Sequence, residues 1–274
     1  MLPVAEFDRF RQAILCLPEK RNGEKYNRQE LMCPRFSLFS DAGLDAYYAP
    51  FHHLNPNARL ALVGLTPGWT QMEEAFRAAR SGLSSGLAGH ALFDHVDKVA
   101  SFSGPMRRNL VEMLDGVGLN ALLGIGSCSE LFAQQKHLVH FTSAVSVPTF
   151  KNRENYRGYG PPLLQVPKLR KWIGENLAAE LVSMPHAIIV PLGRVADEAI
   201  QFLHKEHNQE LAYRSLNGFP HPSGANGHRK TDYARGLGQW RAQVIEAGRQ
   251  ACSPPSTRCT HEGARQVCPS RGAR

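Results

Sequence analysis

Apolar residues along this chain recur with two periods, and the alternation between those periods predicts its elements. Phe7, Phe10, Ile14 and Leu17 stand at helical spacing until Pro18 ends the run, which predicts a peripheral helix. A basic, polar stretch (EKRNGEKYNRQE) follows, and turn signals in AYYAPFHHLNPNA lead into RLALVGL, residues 59–65. That short apolar run, bounded by Asn-Pro-Asn and Thr-Pro-Gly, predicts a buried strand. QMEEAFRAAR returns to helical spacing, so this segment reads strand, Pro-Gly turn, helix.

The same order repeats. MRRNLVEMLDGVGL is an amphipathic helix ending at Gly116, and HLVHFTSAVSV (137–147) is β-branched and aromatic, a second strand. KLRKWIGENLAAELVSM predicts a helix, HAIIVPLG a third strand and RVADEAIQFLHKEH another helix. ELAYRSLNGFP is a weaker fourth strand, and KTDYARGLGQWRAQVIEAG closes with a helix. Strands alternating with helices imply an α/β fold with a mainly parallel sheet covered on both faces, and no internal repeat interrupts it.

In such folds ligands sit beyond the carboxyl ends of the strands. Three unusual loops fall there: TPGW after the first strand, SVPTFKNRENYRGYGPP after the second and HPSGANGHR after the fourth. Gly, Pro, Ser and Asn also punctuate ordinary surface loops, so each loop alone is equally a solvated turn. Their convergence on one end of the sheet makes a site.

Composition narrows the partners. The 274 residues, 42% of them hydrophobic, supply a core for one large domain, and a net charge of +8 favours polyanionic partners, nucleic acid among them. No apolar run is long enough for a membrane span, and the N-terminus carries charges through its apolar positions, so the expectation is a cytoplasmic protein. Cys16, Cys33, Cys128, Cys252, Cys259 and Cys268 form no CxxC pair, which argues against a zinc module or a closely spaced iron–sulfur ligand set. The tail from residue 250 has little apolar content and reads as disordered.

With these motifs in place, the chain resembles the uracil-DNA glycosylase superfamily. GLTPG (Gly64 to Gly68) matches the Gly-x-x-Pro turn after that family's first strand, and HPSGAN (His221 to Asn226) the His-Pro-Ser turn after its last. The two lie about 150 residues apart, with SFSG (101–104) and TSAV (142–145) between them. The resemblance covers roughly residues 47–245. It implies an αβα sandwich around a mainly parallel four-stranded sheet, with residues 1–46 packed as a helical and basic segment on a catalytic domain of residues 47–249.

The resemblance also implies roles. His221 would donate a hydrogen bond to the pyrimidine O2 as the departing base gains charge; on its own it would read as a capping or core histidine. Phe102 would stack on the flipped base, or simply pack in the core, and Gly64 and Trp69 belong to the same base-binding group. Backbone amides of Pro-Ser-Gly turns approach phosphates closely, which assigns Pro67, Gly68, Ser223, Gly224 and Asn226 to the DNA backbone. His228 and Arg229, just past the turn, and Arg153 and Tyr156 in the long loop join them, beside Lys151, Asn152 and Tyr159. The plain alternative is a solvated basic loop.

Two departures from the family pattern bear on specificity. Thr66 stands where uracil-directed members commonly carry Asp or Asn; its hydroxyl can position water but is too weak a base to deprotonate it. Glu73, Glu74, Asp94, Asp97 and Glu154 are the carboxylates available instead. Ser143 stands in the place of the uracil-reading asparagine, offering one hydroxyl for a carboxamide and freeing volume. Together these imply a pocket for a different or larger base. The expected activity is a monofunctional DNA glycosylase on double-stranded DNA that excises a modified pyrimidine, such as glucosylated hydroxymethylcytosine of bacteriophage DNA in an antiviral role. The alternatives are a repair glycosylase for uracil or another deaminated base, and a non-catalytic DNA-binding module. No lysine stands out as a Schiff-base nucleophile, and neither metal, cofactor nor an obligatory protein partner is called for.

Overall fold

In the computed structural model, the described residues are 4–101, 105–206, 211 and 214–252. Helix α1 (Val4–Leu15) buries Phe7, Phe10 and Ile14. The single turn α2 (Arg28–Leu31) is capped by Asn27, whose Oδ1 accepts the Gln29 and Glu30 N–H groups. Strands β1 (Ser37–Asp41) and β2 (Leu44–Tyr47) form an antiparallel hairpin. Its two-residue turn places Ala42 and Gly43 at φ +51° and +75°, which suits the twist of a tight hairpin.

Strand β3 (Leu60–Gly64) begins the central layer, followed by α3 (Trp69–Ser84), α4 (Gly89–Ala100), α5 (Pro105–Gly116) and α6 (Leu119–Leu123). Strand β4 (Val139–Ser143) pairs parallel with β3, and β5 (Thr149–Lys151) and β6 (Glu154–Asn155) form a second small hairpin. Helices α7 (Pro167–Trp172) and α8 (Ala178–Val182) are joined by a π-helical turn, Ile173–Leu177. A stripe spaced by four residues drifts about 40° per step around an α-helix, and a π turn takes up that drift. Leu169, Ile173, Leu177 and Leu181 therefore all stay buried. Strand β7 (Ile188–Pro191), α9 (Arg194–Glu206) and α10 (Arg229–Cys252) complete the chain order.

The parallel sheet has the order β4-β3-β7, and its middle strand alternates between two cores. Ala61 and Val63 face the stripe from α7 to α9, whereas Leu60 and Leu62 face Leu110, Leu114, Trp240 and Val244 of α5 and α10. This is an α/β fold with helices on both faces of a parallel sheet. A second, antiparallel sheet has the order β1-β2-β5-β6, so the first 46 residues share a sheet with residues 149–155. A third core joins Phe10, Phe36, Tyr48, Phe76 and Phe150.

Among the described residues the expected fourth parallel strand is not formed: the sheet has three. The segment after α9 runs beside β7 and meets it through a single parallel bridge, Ile189 to Ser215, with the Leu216 N–H on Ile189 O at 2.8 Å. Gly218 at φ +73° and Pro220, which has no N–H, bend the chain before a ladder can extend. Residues 253–274, most of the expected disordered tail, lie outside the described residues.

Candidate functional site

A cavity of about 670 Å³ opens at the carboxyl ends of the three parallel strands, where Gly64, Ser143 and Leu192 line it. The strand directions bring both signature turns to it: Thr66, Pro67 and Gly68 from the first, His221, Ser223 and Asn226 from the second. Tyr156 also lines it, but as a buried residue whose hydroxyl donates to Pro161 O at 2.6 Å. Burial pushes that phenol up to about 12, so it stays protonated. A more open depression of about 790 Å³ beside α7 and α9 receives neither turn, and its charged groups are exposed ion pairs such as Arg170–Glu206.

The second turn is held from within. The Asn226 carboxamide donates to His221 O at 3.3 Å, Ser223 Oγ accepts the Ala225 N–H, and the Arg229 guanidinium donates to Pro222 O and Ser223 O at 3.1 and 3.2 Å. Asn109 of α5 donates to Pro222 O at 2.9 Å. The His221 ring accepts the Ser223 N–H on Nδ1 at 3.2 Å, so the neutral imidazole carries its proton on Nε2. Burial lowers its pKa, which favours that neutral form. Gly193 makes room for the ring: it sits at φ +93°, and a Cβ there would lie 3.0 Å from the His221 Cβ.

In the first turn, Thr66 Oγ1 donates to Val147 O at 2.7 Å and accepts the Thr149 N–H at 3.1 Å. The hydroxyl thus straps the turn to the start of β5 and has one lone pair left. Asn155 on β6 accepts the Trp69 N–H at 2.9 Å, which caps α3, and Gly68 keeps the backbone clear of it: a Cβ at 68 would meet Asn155 Nδ2 at 3.0 Å. Gly64 similarly lies against Ser143, 3.3 Å from a Cβ to Oγ.

Other expected residues lie elsewhere. The Trp69 ring is not in the cavity wall and stacks under Arg28, 5.2 Å from guanidinium carbon to ring centroid. Arg153 sits exposed at the tip of the β5–β6 hairpin at φ +64°, its carbonyl accepting from Arg28. Gly224 and His228 are exposed beyond the cavity wall, and Arg229 lies behind the turn. Phe102 lies outside the described residues.

Of the five carboxylates, Asp97 alone lines the cavity, accepting from Ser101 Oγ at 2.7 Å and pairing with Lys136 at 3.0 Å. Glu73 is buried in an ion pair with Arg77, Asp94 pairs with Lys136, and Glu154 is exposed beside Arg28. Burial raises the pKa of Glu74, which is not in the wall.

Among the wall residues missed from sequence are His53, Glu180 and Thr142. Burial, aided by Lys136 and His90 against Asp97 and Asp94, lowers the His53 pKa. Glu180 is 4% exposed and reaches from α8 to β4, where Thr142 Oγ1 donates to Oε2 at 2.6 Å and His140 Nε2 lies 3.2 Å from the same oxygen. Burial works to raise its pKa, but the His140 hydrogen bond and then nearby positive charge hold it below the usual carboxylate range. A signal existed: Glu180 falls within the stripe of Ile173, Leu177, Leu181 and Met184, where a carboxylate is out of place without a partner. Among the described residues no group of three or more His, Cys, Asp or Glu is placed to hold a metal, and no helix is long and apolar enough to cross a membrane.

No family model matches the chain. Among solved structures, that of wild-type Pedobacter heparinus SMUG2 is similar over 88% of this chain and 97% of that one, with a TM-score of 0.44 and 13% sequence identity. Among curated proteins, the uncharacterized protein YoxB of Bacillus subtilis (strain 168) is 36% identical over 220 residues, which span 79% of this chain and 85% of YoxB. At that identity and coverage, the chain belongs to the family of YoxB.

Proposed function

We propose that the protein is a monofunctional DNA glycosylase that hydrolyses the N-glycosidic bond of a flipped nucleotide. One observation carries the reading: His221 lines the cavity as a neutral imidazole whose Nδ1 is occupied by its own turn, so its Nε2–H is the donor offered to a bound base. As the bond breaks, charge gathers on the base oxygen, and a fixed donor there stabilises it. Removal of one such donor costs about 10²–10³ in rate in other enzymes. Asp97, the one of the five candidate carboxylates that lines the wall, is assigned to the attacking water, and Thr66 to holding the first turn in place.

The turn from Ser223 to Arg229 and the net charge of +8 suit the DNA backbone around the flipped nucleotide. A cavity of about 670 Å³ exceeds what a bare pyrimidine ring fills. That room, with Ser143 in its wall, supports a bulky modified pyrimidine such as glucosylated hydroxymethylcytosine in bacteriophage DNA, and with it an antiviral role. The test is abasic-site formation by wild type and His221→Ala on uracil-containing DNA, glucosylated phage DNA and unmodified DNA. Abasic sites in the glucosylated DNA alone, lost in the variant, are expected. Release of uracil overturns the choice of base, and binding without abasic sites on any substrate overturns the enzyme.

A further inference from the structure

From the end of β6 onward the chain turns alternate residues two ways. Asn155, Arg157 and Tyr159 are exposed and line the cavity, whereas Tyr156 and Gly158 between them are buried. The buried pair holds the segment from behind. Tyr156 donates its hydroxyl to Pro161 O at 2.6 Å, and Gly158, at φ +83°, lies so close to α9 that a Cβ there would come 2.5 Å from Val195 Cγ1. The three exposed side chains therefore stand on a backbone edge that is fixed before any ligand arrives. That edge is next to His221: Gly193 abuts the His221 side chain and Val195 packs against Gly158, and these two contacts are separated by two residues, at most about 7 Å of chain.

The edge offers donors and an aromatic face. The Asn155 carboxamide is oriented by the α3 cap: its Oδ1 accepts the Trp69 N–H at 2.9 Å, which leaves Nδ2 as a donor beside Gly68 with no partner among the described residues. Arg157 likewise forms no hydrogen bond or ion pair among the described residues. Tyr159 is 52% exposed even with the Arg194 guanidinium over its ring, 5.2 Å from the centroid. Donors alone would describe a phosphate site. The open aromatic argues for something else, because the face of a ring is electron-rich and repels an anion, whereas it packs well against C–H groups. A carboxamide donor, a guanidinium and an aromatic face together match a sugar ring, which carries hydroxyl oxygens around its edge and C–H groups on its faces.

We infer that Asn155, Arg157 and Tyr159 form a subsite for a glycosyl substituent carried on the base, beside the donor His221. The inference rests on the proposed reading of the cavity as the site of a flipped base, and it names the part of the wall that would separate a glucosylated pyrimidine from a bare hydroxymethyl one. Its test is binding of the full chain to two duplexes that differ only in whether one hydroxymethylcytosine is glucosylated, followed by stopped-flow fluorescence anisotropy before abasic sites accumulate. The wild type is expected to bind the glucosylated duplex about tenfold more tightly, a difference of about 1.4 kcal/mol. Tyr159→Ala and Arg157→Ala, both at exposed positions, are each expected to reduce that ratio to about threefold.

Equal binding of the two duplexes by the wild type, or a tenfold preference that survives in either variant, overturns the inference. So does an Arg157→Ala variant that weakens both duplexes alike and lowers the salt dependence by about one phosphate contact, which would make the edge a DNA-backbone site. A preference for the glucosylated duplex without abasic-site formation on any DNA removes the glycosylase reading and leaves the subsite. Abasic sites without that preference remove the subsite alone.

Discussion

Replacing Thr66 by Val removes one hydroxyl and keeps the branched shape, which isolates the strap between the first turn and β5. Two bonds are lost, but their consequences differ. Val147 O retains a second donor, the Thr149 hydroxyl at 3.1 Å, whereas the Thr149 N–H loses its acceptor on Thr66. Thr149 is 0% exposed, so water does not replace that acceptor without opening the structure. An orphaned buried donor costs about 1–3 kcal/mol, and this dominates the expected loss. At roughly 2–4 °C per kcal/mol for a domain of this size, thermal unfolding should report it clearly. Urea unfolding of wild type, Thr66→Val and Thr66→Ser would measure the free energies, with the serine variant keeping most of the stability. A valine variant within about 0.5 kcal/mol of wild type would refute the strap and return the Thr66 hydroxyl to a role in the cavity.

Three further outcomes are expected. The His221 ring, followed by NMR, should be the Nε2–H tautomer and protonate only below the ordinary histidine range. As pH falls below about 6.5 the unfolded chain takes up this proton first, so stability should be flat above that pH and decline below it. A His221→Asn variant that keeps the same slope would assign the decline to another group. Gly193→Ala forces a side chain onto φ +93° and against His221, with an expected loss of about 1–3 kcal/mol and lower abasic-site formation; unchanged stability and activity would show that the ring does not depend on this contact. Asn155→Ala should cost about 0.5–2 kcal/mol by uncapping α3, measured in urea, while Asn155→Asp keeps the acceptor. Equal losses in the two variants would mean that the cap is not the cause.

The parts of the fold that local pattern dictates were readable in the sequence. Leu60 to Val63 are four buried apolar residues in a row between two turns, and Ile188 to Pro191 repeat that pattern, so both strands and their parallel direction followed. Direction in turn placed both signature turns at one end. The antiparallel sheet was missed because its signals are distant or weak: β2 pairs with β5 about a hundred residues later, and the β1–β2 turn uses Ala-Gly in place of Asn-Gly. Helix α4 was missed although Leu92, Phe93, Val96 and Ala100 have helical spacing, because histidines and aspartates lie between them. The fourth strand failed for the opposite reason: its β-favouring residues are real, but Gly218 and Pro220 overrule them. Glu180 went unread because a helical pattern says which face is buried and not what that face will touch.

The loop with His221 hangs beside the sheet on individual attachments. The Trp240 indole donates to Asn217 O at 2.9 Å, Gly193 N–H donates to Phe219 O at 2.9 Å, and Arg214 grips the carbonyls of Leu181, Met184 and Ala187. A strand ladder is cooperative and resists piecemeal change, but attachments of this kind contribute about 1 kcal/mol each and can be altered singly. The histidine can therefore be re-aimed by substitutions on α10 or near β7, far from any bound base, without dismantling the parallel sheet. For the glycosylase proposed above, such a mounting lets selection adjust the reach of the donor while the scaffold stays constant.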